Sequence, residues 1–171
     1  DLIAEGNIIG WFQGRLEFGD RALGNRSILA DPRDPSMKEK VNDTIKYREP
    51  FRPFAPAILN QRVDDYFESA SPTPFMEKAF KIRPERHGEI PAVTHVDGTG
   101  RLQSVDQDNN PLFYRLINAF SNKTGVPVVL NTSFNLKGEP IVCTPKDALR
   151  TFFSCGLDAL IIGSFEVRKK K

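Results

Sequence analysis

Several things are scarce in this sequence, and each scarcity excludes a class of function. No stretch approaches eighteen uninterrupted apolar residues, so nothing reads as a membrane span. There are two cysteines, Cys143 and Cys155, and two histidines, His87 and His95, and none of the four falls in a CxxC, HxxxH or mixed Cys/His pattern. A disulfide framework and a zinc site are therefore not expected, and buried free thiols in a reducing cytoplasm are. No metal-ligand set is assigned, and neither histidine is given a catalytic role. The start, Asp1–Trp11, lacks a basic region and a small-residue cleavage site; it reads as the tail of a helix running into a strand, cut from something longer. Charge of one sign is also lacking. The formal net charge is +2, but Arg168 to Lys171 are all basic, and without them 20 basic residues face 22 acidic ones. A chain so nearly neutral has little sequence-independent attraction for a nucleic-acid backbone, and the basic end reads as a solvated tail.

What is present is an ordinary globular composition of 171 residues, enough for one good core and read as a single domain over 1–171. Apolar, β-branched runs alternate with helical patterns, which predicts a mixed α/β domain. Strands are expected at Ile8–Gln13, Ser27–Ala30, Ala57–Leu59, Phe75–Ile82, Ala92–Val96, Arg101–Val105, Val126–Leu130 and Ala159–Ile162, with Phe165–Val167 pairing at an edge. Ser36–Glu39 has the S-x-x-E form of a capping box, and Met37, Val41 and Ile45 continue it as a short helix. One or two helical turns are expected at Val63–Glu68. The clearest helix runs from Pro111 to about Lys123, capped by Asn110 and stopped by Gly125, with Leu112, Phe113, Leu116, Ile117 and Phe120 inward. Thr144-Pro145 opens the last helix, with Ala148, Leu149, Phe152 and Phe153 inward and Gly156 closing it. The thirteen phenylalanines are read first as core.

Four segments combine positive charge with flexible or small backbone. Gly14–Ser27 carries three glycines and Arg15, Arg21 and Arg26 between two strands. Glycine lets backbone amides approach an anion, and guanidinium forks match carboxylate and phosphate oxygens. The alternative is a surface loop whose arginines pair with Glu17 and Asp20. Neither the Walker A nor the dinucleotide-binding glycine spacing is present. In the second segment, Lys46 and Arg48, with Arg52 beyond, would line one face of an extended stretch that prolines 50, 53 and 56 stiffen. The alternative there is a strand edge protected by charge. The third segment, Asn131-Thr132-Ser133-Phe134-Asn135, follows a buried strand, where α/β sheets gather ligands; it can equally be a turn rich in Asn and Ser. The fourth, Gly98–Arg101, adds one more arginine on a glycine turn. No serine–histidine–acid set is visible. These residues are suited to holding a polyanion and neutralising charge while a phosphoryl or acyl group transfers.

Three strings carry the reading further: GWFQGRLEFGDRALGNRSILADPR, FRPFAPAIL and VPVVLNTSFNLKGEPIV. Over about Ile9 to Ser164 the sequence resembles the C-terminal domain of nodulation-protein-U-type carbamoyltransferases, whose relatives include antibiotic-tailoring O-carbamoyltransferases. That domain in turn is similar to the YrdC, or threonylcarbamoyl-AMP synthase, fold: a twisted mixed sheet flanked by helices around a concave, positive cavity. The K-x-R pattern of that fold matches Lys46-Tyr47-Arg48, and its S-x-N pattern matches Ser133-Phe134-Asn135. The resemblance implies that carbamoyl phosphate loses phosphate here to give carbamate, which attacks the α-phosphate of ATP to form carbamoyl-AMP and pyrophosphate. It implies Arg21, Arg52, Arg101, Asn131 and Ser133 as carbamoyl-phosphate contacts, Lys46, Arg48 and Asn135 as nucleotide contacts, and Arg52, Ser133 and Lys46 as the catalytic set. ATP is then a co-substrate, with Mg2+ held mainly by its phosphates. A kinase-like N-terminal domain, absent from this sequence, would transfer the carbamoyl group to a hydroxyl acceptor. One departure is Asp20, where the family has proline in FGPRALG; an acid there can pair with Arg21. Two other classes compete. One is a nucleotide- or phosphate-binding regulatory module without turnover; the other is an RNA-binding YrdC-like domain, which the near-neutral charge argues against.

Overall fold

A computed structural model describes residues 1–49 and 51–170. Pro50, the first proline of the stiffened segment, and Lys171, the last residue of the basic end, lie outside the described residues. Seven strands form one mixed sheet. They are β1 (Ile9–Phe12), β2 (Arg26–Ala30), β3 (Ala55–Leu59), β6 (Gln103–Val105), β7 (Val128–Ser133), β8 (Ala159–Ile162) and β9 (Phe165–Arg168). Their spatial order is β6-β3-β7-β2-β1-β8-β9, with β1–β8 and β3–β6 parallel and the other pairs antiparallel. A separate two-stranded ribbon pairs β4 (Ala79–Lys81) with β5 (Thr99–Arg101). The helices are α1 (Met37–Val41), α2 (Val63–Tyr66), α3 (Pro111–Thr124) and α4 (Pro145–Phe153). The expected mixed sheet flanked by helices is present. Every residue of β1, β2 and β3 is buried, as befits central strands covered on both faces. Helix α3 packs on β3 and β7, and α4 on β1 and β8.

The longer helices begin where side-chain chemistry satisfies the open amides of their first turn. Asn110 accepts from the Phe113 amide at 3.1 Å, Pro111 occupies the first helical position, and Gly125 ends α3 at φ 80°. In α4 the box is reciprocal: Thr144 caps the Asp147 amide at 3.2 Å and the Asp147 carboxylate accepts from the Thr144 amide at 2.8 Å. The box expected at Ser36 does not form. Ser36 is itself helical, φ −76° and ψ −14°, rather than in the extended backbone of a cap, and Asp34 takes that place, accepting the Ser36 amide at 2.8 Å and its hydroxyl at 2.7 Å.

Other expectations are corrected by packing. Ala92–Val96 is not a strand; Pro91 opens a single 3-10 turn there, and β5 pairs with β4. Phe75–Ile82 contributes only the three residues of β4. Leu112, Leu149 and Phe153 are partly or largely exposed, so the buried stripes are narrower than helical spacing predicted: Phe113, Ile117 and Phe120 in α3, and Ala148, Thr151 and Phe152 in α4. Cys143 is exposed and Cys155 half-buried, so neither is the buried thiol expected. β8 is flanked by β1 and edge strand β9, one place in from the sheet's margin.

Candidate functional site

The sheet register explains why distant segments meet. β7 runs antiparallel to both neighbours, with Ser133 opposite Ser27 of β2 and Asn131 opposite Ala55 of β3. The carboxyl end of β7 therefore lies beside the beginnings of β2 and β3. The segments entering those strands, 13–25 and the described residues 47–49 and 51–54, flank the polar Asn131–Ser133 end of β7. β6 is parallel to β3 and also begins at this end, so Arg101, two residues before it, arrives there too.

Two adjoining compartments open at this place. One, of about 180 Å³, is lined among others by Arg21, Arg48, Arg52, Arg101, Asn131 and Ser133. The other, of about 200 Å³, includes Lys46, Arg48, Arg52, Ser133, Asn135 and Lys137. All eight residues selected from the sequence line one or both. Arg48, Arg52 and Ser133 are common to the two, while Arg21, Arg101 and Asn131 lie on one side and Lys46 and Asn135 on the other. Neither histidine lines either compartment.

Lys46 and Arg48 do not converge by the extended geometry expected. Residues Asn42–Lys46 form a π-helical turn continuing α1, and Tyr47 takes a left-handed conformation at φ 47° and ψ 44°. A π turn ending in a left-handed tyrosine is the sort of local irregularity that functional sites retain. It turns Lys46 inward, where it is 6% exposed, and leaves Tyr47 outside. Asn42 fixes the next residue, accepting from the Arg48 amide at 3.2 Å and donating to its carbonyl at 2.7 Å. The Arg48 guanidinium lies over the Phe54 ring at 4.4 Å. The Arg52 amide donates to the Glu49 carbonyl at 3.1 Å.

The 14–26 loop is organised by Glu17, which the sequence marks only as an ion-pair partner for the loop's arginines. One Glu17 oxygen accepts the amides of Leu23, Asn25 and Arg26 at 2.8, 2.7 and 3.2 Å. Of the three arginines only Arg21 reaches the cavity. Arg26 is buried over the Phe12 ring at 3.6 Å, donating to the carbonyls of Gln13, Gly14 and Asn25, and is structural. Arg15 is exposed. Asp20 does pair with Arg21, at 3.3 Å, but with its side chain 83% exposed the pair is solvent-screened and weak. Gln103, which sequence reasoning missed, ties the loop to the sheet. It donates to the Leu23 carbonyl at 2.9 Å and accepts from Asn131 at 2.7 Å, and Asn131 also donates to the Ala22 carbonyl at 3.1 Å. An isolated glutamine in a strand carries no signal that would have found it.

Positive charge is concentrated, with only exposed carboxylates against it. Burial, then the charges of Arg48 and Arg52, pulls the Lys46 amine down to about 7. Burial, then Arg52 and Arg101, pulls Arg48 down to about 10, and burial with Arg21 lowers Arg101. At neutral pH the arginines remain charged. The nearby carboxylates, Asp20 and Glu49, are largely exposed and lie against Arg21 and Arg52. Among the described residues no buried carboxylate neutralises this set of guanidinium groups, an arrangement suited to holding an anion. Among the described residues no three His, Cys, Asp or Glu side chains gather as a metal-binding set, and the two carboxylates of the lining, Asp20 and Glu49, lie against arginines.

The carbamoyltransferase C-terminus family model matches residues 1–169, and the chain belongs to that family. It is 49% identical to nodulation protein NolO of Bradyrhizobium diazoefficiens over 99% of this chain and 32% of that protein. It is 38% identical to the 3'-hydroxymethylcephem-O-carbamoyltransferase of Amycolatopsis lactamdurans over 94% of this chain and 30% of that one. The chain thus spans about a third of the length of these relatives. Among solved structures, full-length HypF in its phosphate- and nucleotide-bound form superposes with a TM-score of 0.59 at 16% identity, covering 98% of this chain and 20% of that one, a likeness of fold. Among the described residues no helix is long and apolar enough to cross a membrane.

Proposed function

We propose that this chain activates carbamoyl phosphate with ATP, forming carbamoyl-AMP for transfer to a hydroxyl acceptor by the rest of a longer carbamoyltransferase. The observation that carries the reading is the pair of adjoining compartments sharing Arg48, Arg52 and Ser133. Two phosphorylated substrates that must react need neighbouring anion sites with common donors between them. Relatives named as O-carbamoyltransferases supply the group transferred.

Arg21, Arg52 and Arg101 hold the phosphate of carbamoyl phosphate, with Asn131 and Ser133 on its carbamoyl end. Water cleaves the carbonyl–oxygen bond to phosphate, giving carbamate and inorganic phosphate. A carbamate oxygen then attacks the α-phosphorus of ATP, the α–β bridging bond breaks, and pyrophosphate leaves with its electron pair. Arg48 and Arg52 stabilise charge on the transferring and departing phosphates, the kind of preorganised electrostatic help that phosphoryl transfer needs. Mg2+ enters with the ATP phosphates.

Calorimetric titration with carbamoyl phosphate tests this assignment. Arg52→Ala should weaken binding by about 1.5–3 kcal/mol, the worth of a charge-assisted hydrogen bond. Unchanged affinity in a folded Arg52→Ala protein would remove Arg52 from the site.

A further inference from the structure

The hydrogen bonds around Ser133 fix the polarity of its hydroxyl. Asn135 Nδ2 donates to the Glu139 carbonyl at 2.7 Å, so Oδ1 is the atom facing Lys46 Nζ at 2.8 Å. That oxygen only accepts. Ser133 Oγ lies 2.7 Å from it, so the single hydroxyl proton is directed at Asn135. What remains for a ligand is a lone pair on Ser133 Oγ. The Lys46 protons are likewise committed. Four protein acceptors surround Nζ: the Ser133 carbonyl at 2.5 Å, Asn135 Oδ1 at 2.8 Å, the Asn135 carbonyl at 3.1 Å and Ser133 Oγ at 3.3 Å. A buried amine so surrounded, whether it carries two protons or three, has none left for a phosphate.

The consequence is chemical selectivity. The cavity's arginines are donors without acceptor capacity, suited to phosphate and carboxylate oxygens. An acceptor among them is matched to an N–H. We propose that Ser133 Oγ is held as a hydrogen-bond acceptor for the ligand's amino group, and that Lys46 and Asn135 are positioning residues that hold it so without touching the ligand. This deepens the reading of the cavity as a carbamoyl-phosphate site and rests on it. It also divides the K-x-R pair: Arg48 faces phosphate, whereas Lys46 turns inward to pin the Ser133–Asn135 turn.

The discriminating probe is acetyl phosphate, in which a methyl group replaces the amino group at nearly the same size. Affinities for carbamoyl phosphate and acetyl phosphate are measured by calorimetry in the wild type, Ser133→Ala, Lys46→Met and Asn135→Ala. The wild type should favour carbamoyl phosphate by about tenfold or more, because a methyl group leaves the acceptor unpaired. Ser133→Ala should bring the ratio near one while both compounds still bind. Lys46→Met and Asn135→Ala should lower the ratio in the same way. Asn135→Ala, at a partly exposed position, keeps the test open if Lys46→Met fails to fold. A wild-type ratio near one, or an undiminished ratio in either positioning variant alongside weaker binding of both compounds, would overturn the proposal. Binding of neither compound by the wild type would defeat the reading of the cavity itself, and this inference with it.

Discussion

Gly24→Ala probes how the arginine loop is seated. Gly24 has φ +106°, a backbone region that side chains strongly disfavour, which alone costs about 1–2 kcal/mol. A Cβ built there would stand 2.2 Å from Phe113 Cδ1 and 2.5 Å from its Cγ, on a ring that is fully buried in α3. These are the root and near edge of the ring, so the phenylalanine cannot swing clear without leaving its place in the core. Overpacking of this kind adds about 1–3 kcal/mol. The Gly24 carbonyl also accepts from the Trp11 indole at 2.8 Å, and displacement of the loop loosens that bond. The total is about 2–5 kcal/mol, which in a domain of this size lowers the melting temperature by roughly 10 °C. Gly14→Ala in the same loop is the control: its φ is +48° and nothing lies within 4 Å, so only backbone strain of about 1 kcal/mol is expected. Thermal and urea unfolding of the two variants side by side provide the assay. Equal destabilisation would mean that Phe113 does not seat the loop, and the steric argument would fail.

Further expectations concern the same region. Replacing Glu17 with alanine leaves three loop amides without their acceptor, and urea unfolding should show a loss of about 2–3 kcal/mol. Because that loop carries Arg21, calorimetry on the same variant should also show weaker carbamoyl-phosphate binding. Lys46 gives a pH signature. Its amine titrates near 7 in the folded chain against an ordinary 10.5, so between those values the unfolded chain binds the extra proton and stability rises with pH, by up to about 1.4 kcal/mol per unit. Below pH 7 both states are protonated and the penalty of burying the charge is complete. Unfolding measured at pH 7 and pH 9 should show this rise in the wild type and lose it in Lys46→Met; identical slopes would mean that Lys46 does not titrate there.

The sequence made some levels of this organisation legible and hid others for physical reasons. α3 could be read nearly to the residue, because Asn110, Pro111 and Gly125 are local signals acting on their own turn. Charge, glycine and small polar residues marked the segments, each with a structural alternative, and the family resemblance picked the residues of the two compartments out of them. Their geometry could not be read. Lys46 and Arg48 come together through a π turn and a left-handed Tyr47, neither of which has a residue signature. Ser36-x-x-Glu39 matches a cap pattern, yet Asp34 accepts the Ser36 amide and Ser36 is already helical, an alternative start the pattern alone does not separate. Glu17 and Gln103 act on backbone atoms far from their own strands or across a loop, and such contacts exist only once the sheet register has been set. Leu149 and Phe153 have the right spacing for a core stripe, but α4 buries only a narrow face against β1 and β8.

The most direct test of the account is pyrophosphate release from ATP and magnesium, with carbamoyl phosphate present or omitted, and with the remainder of a longer relative supplied in trans. The account predicts release that requires carbamoyl phosphate and falls sharply in Arg52→Ala and Ser133→Ala. Release that ignores carbamoyl phosphate, or none even with the remainder supplied, would contradict it.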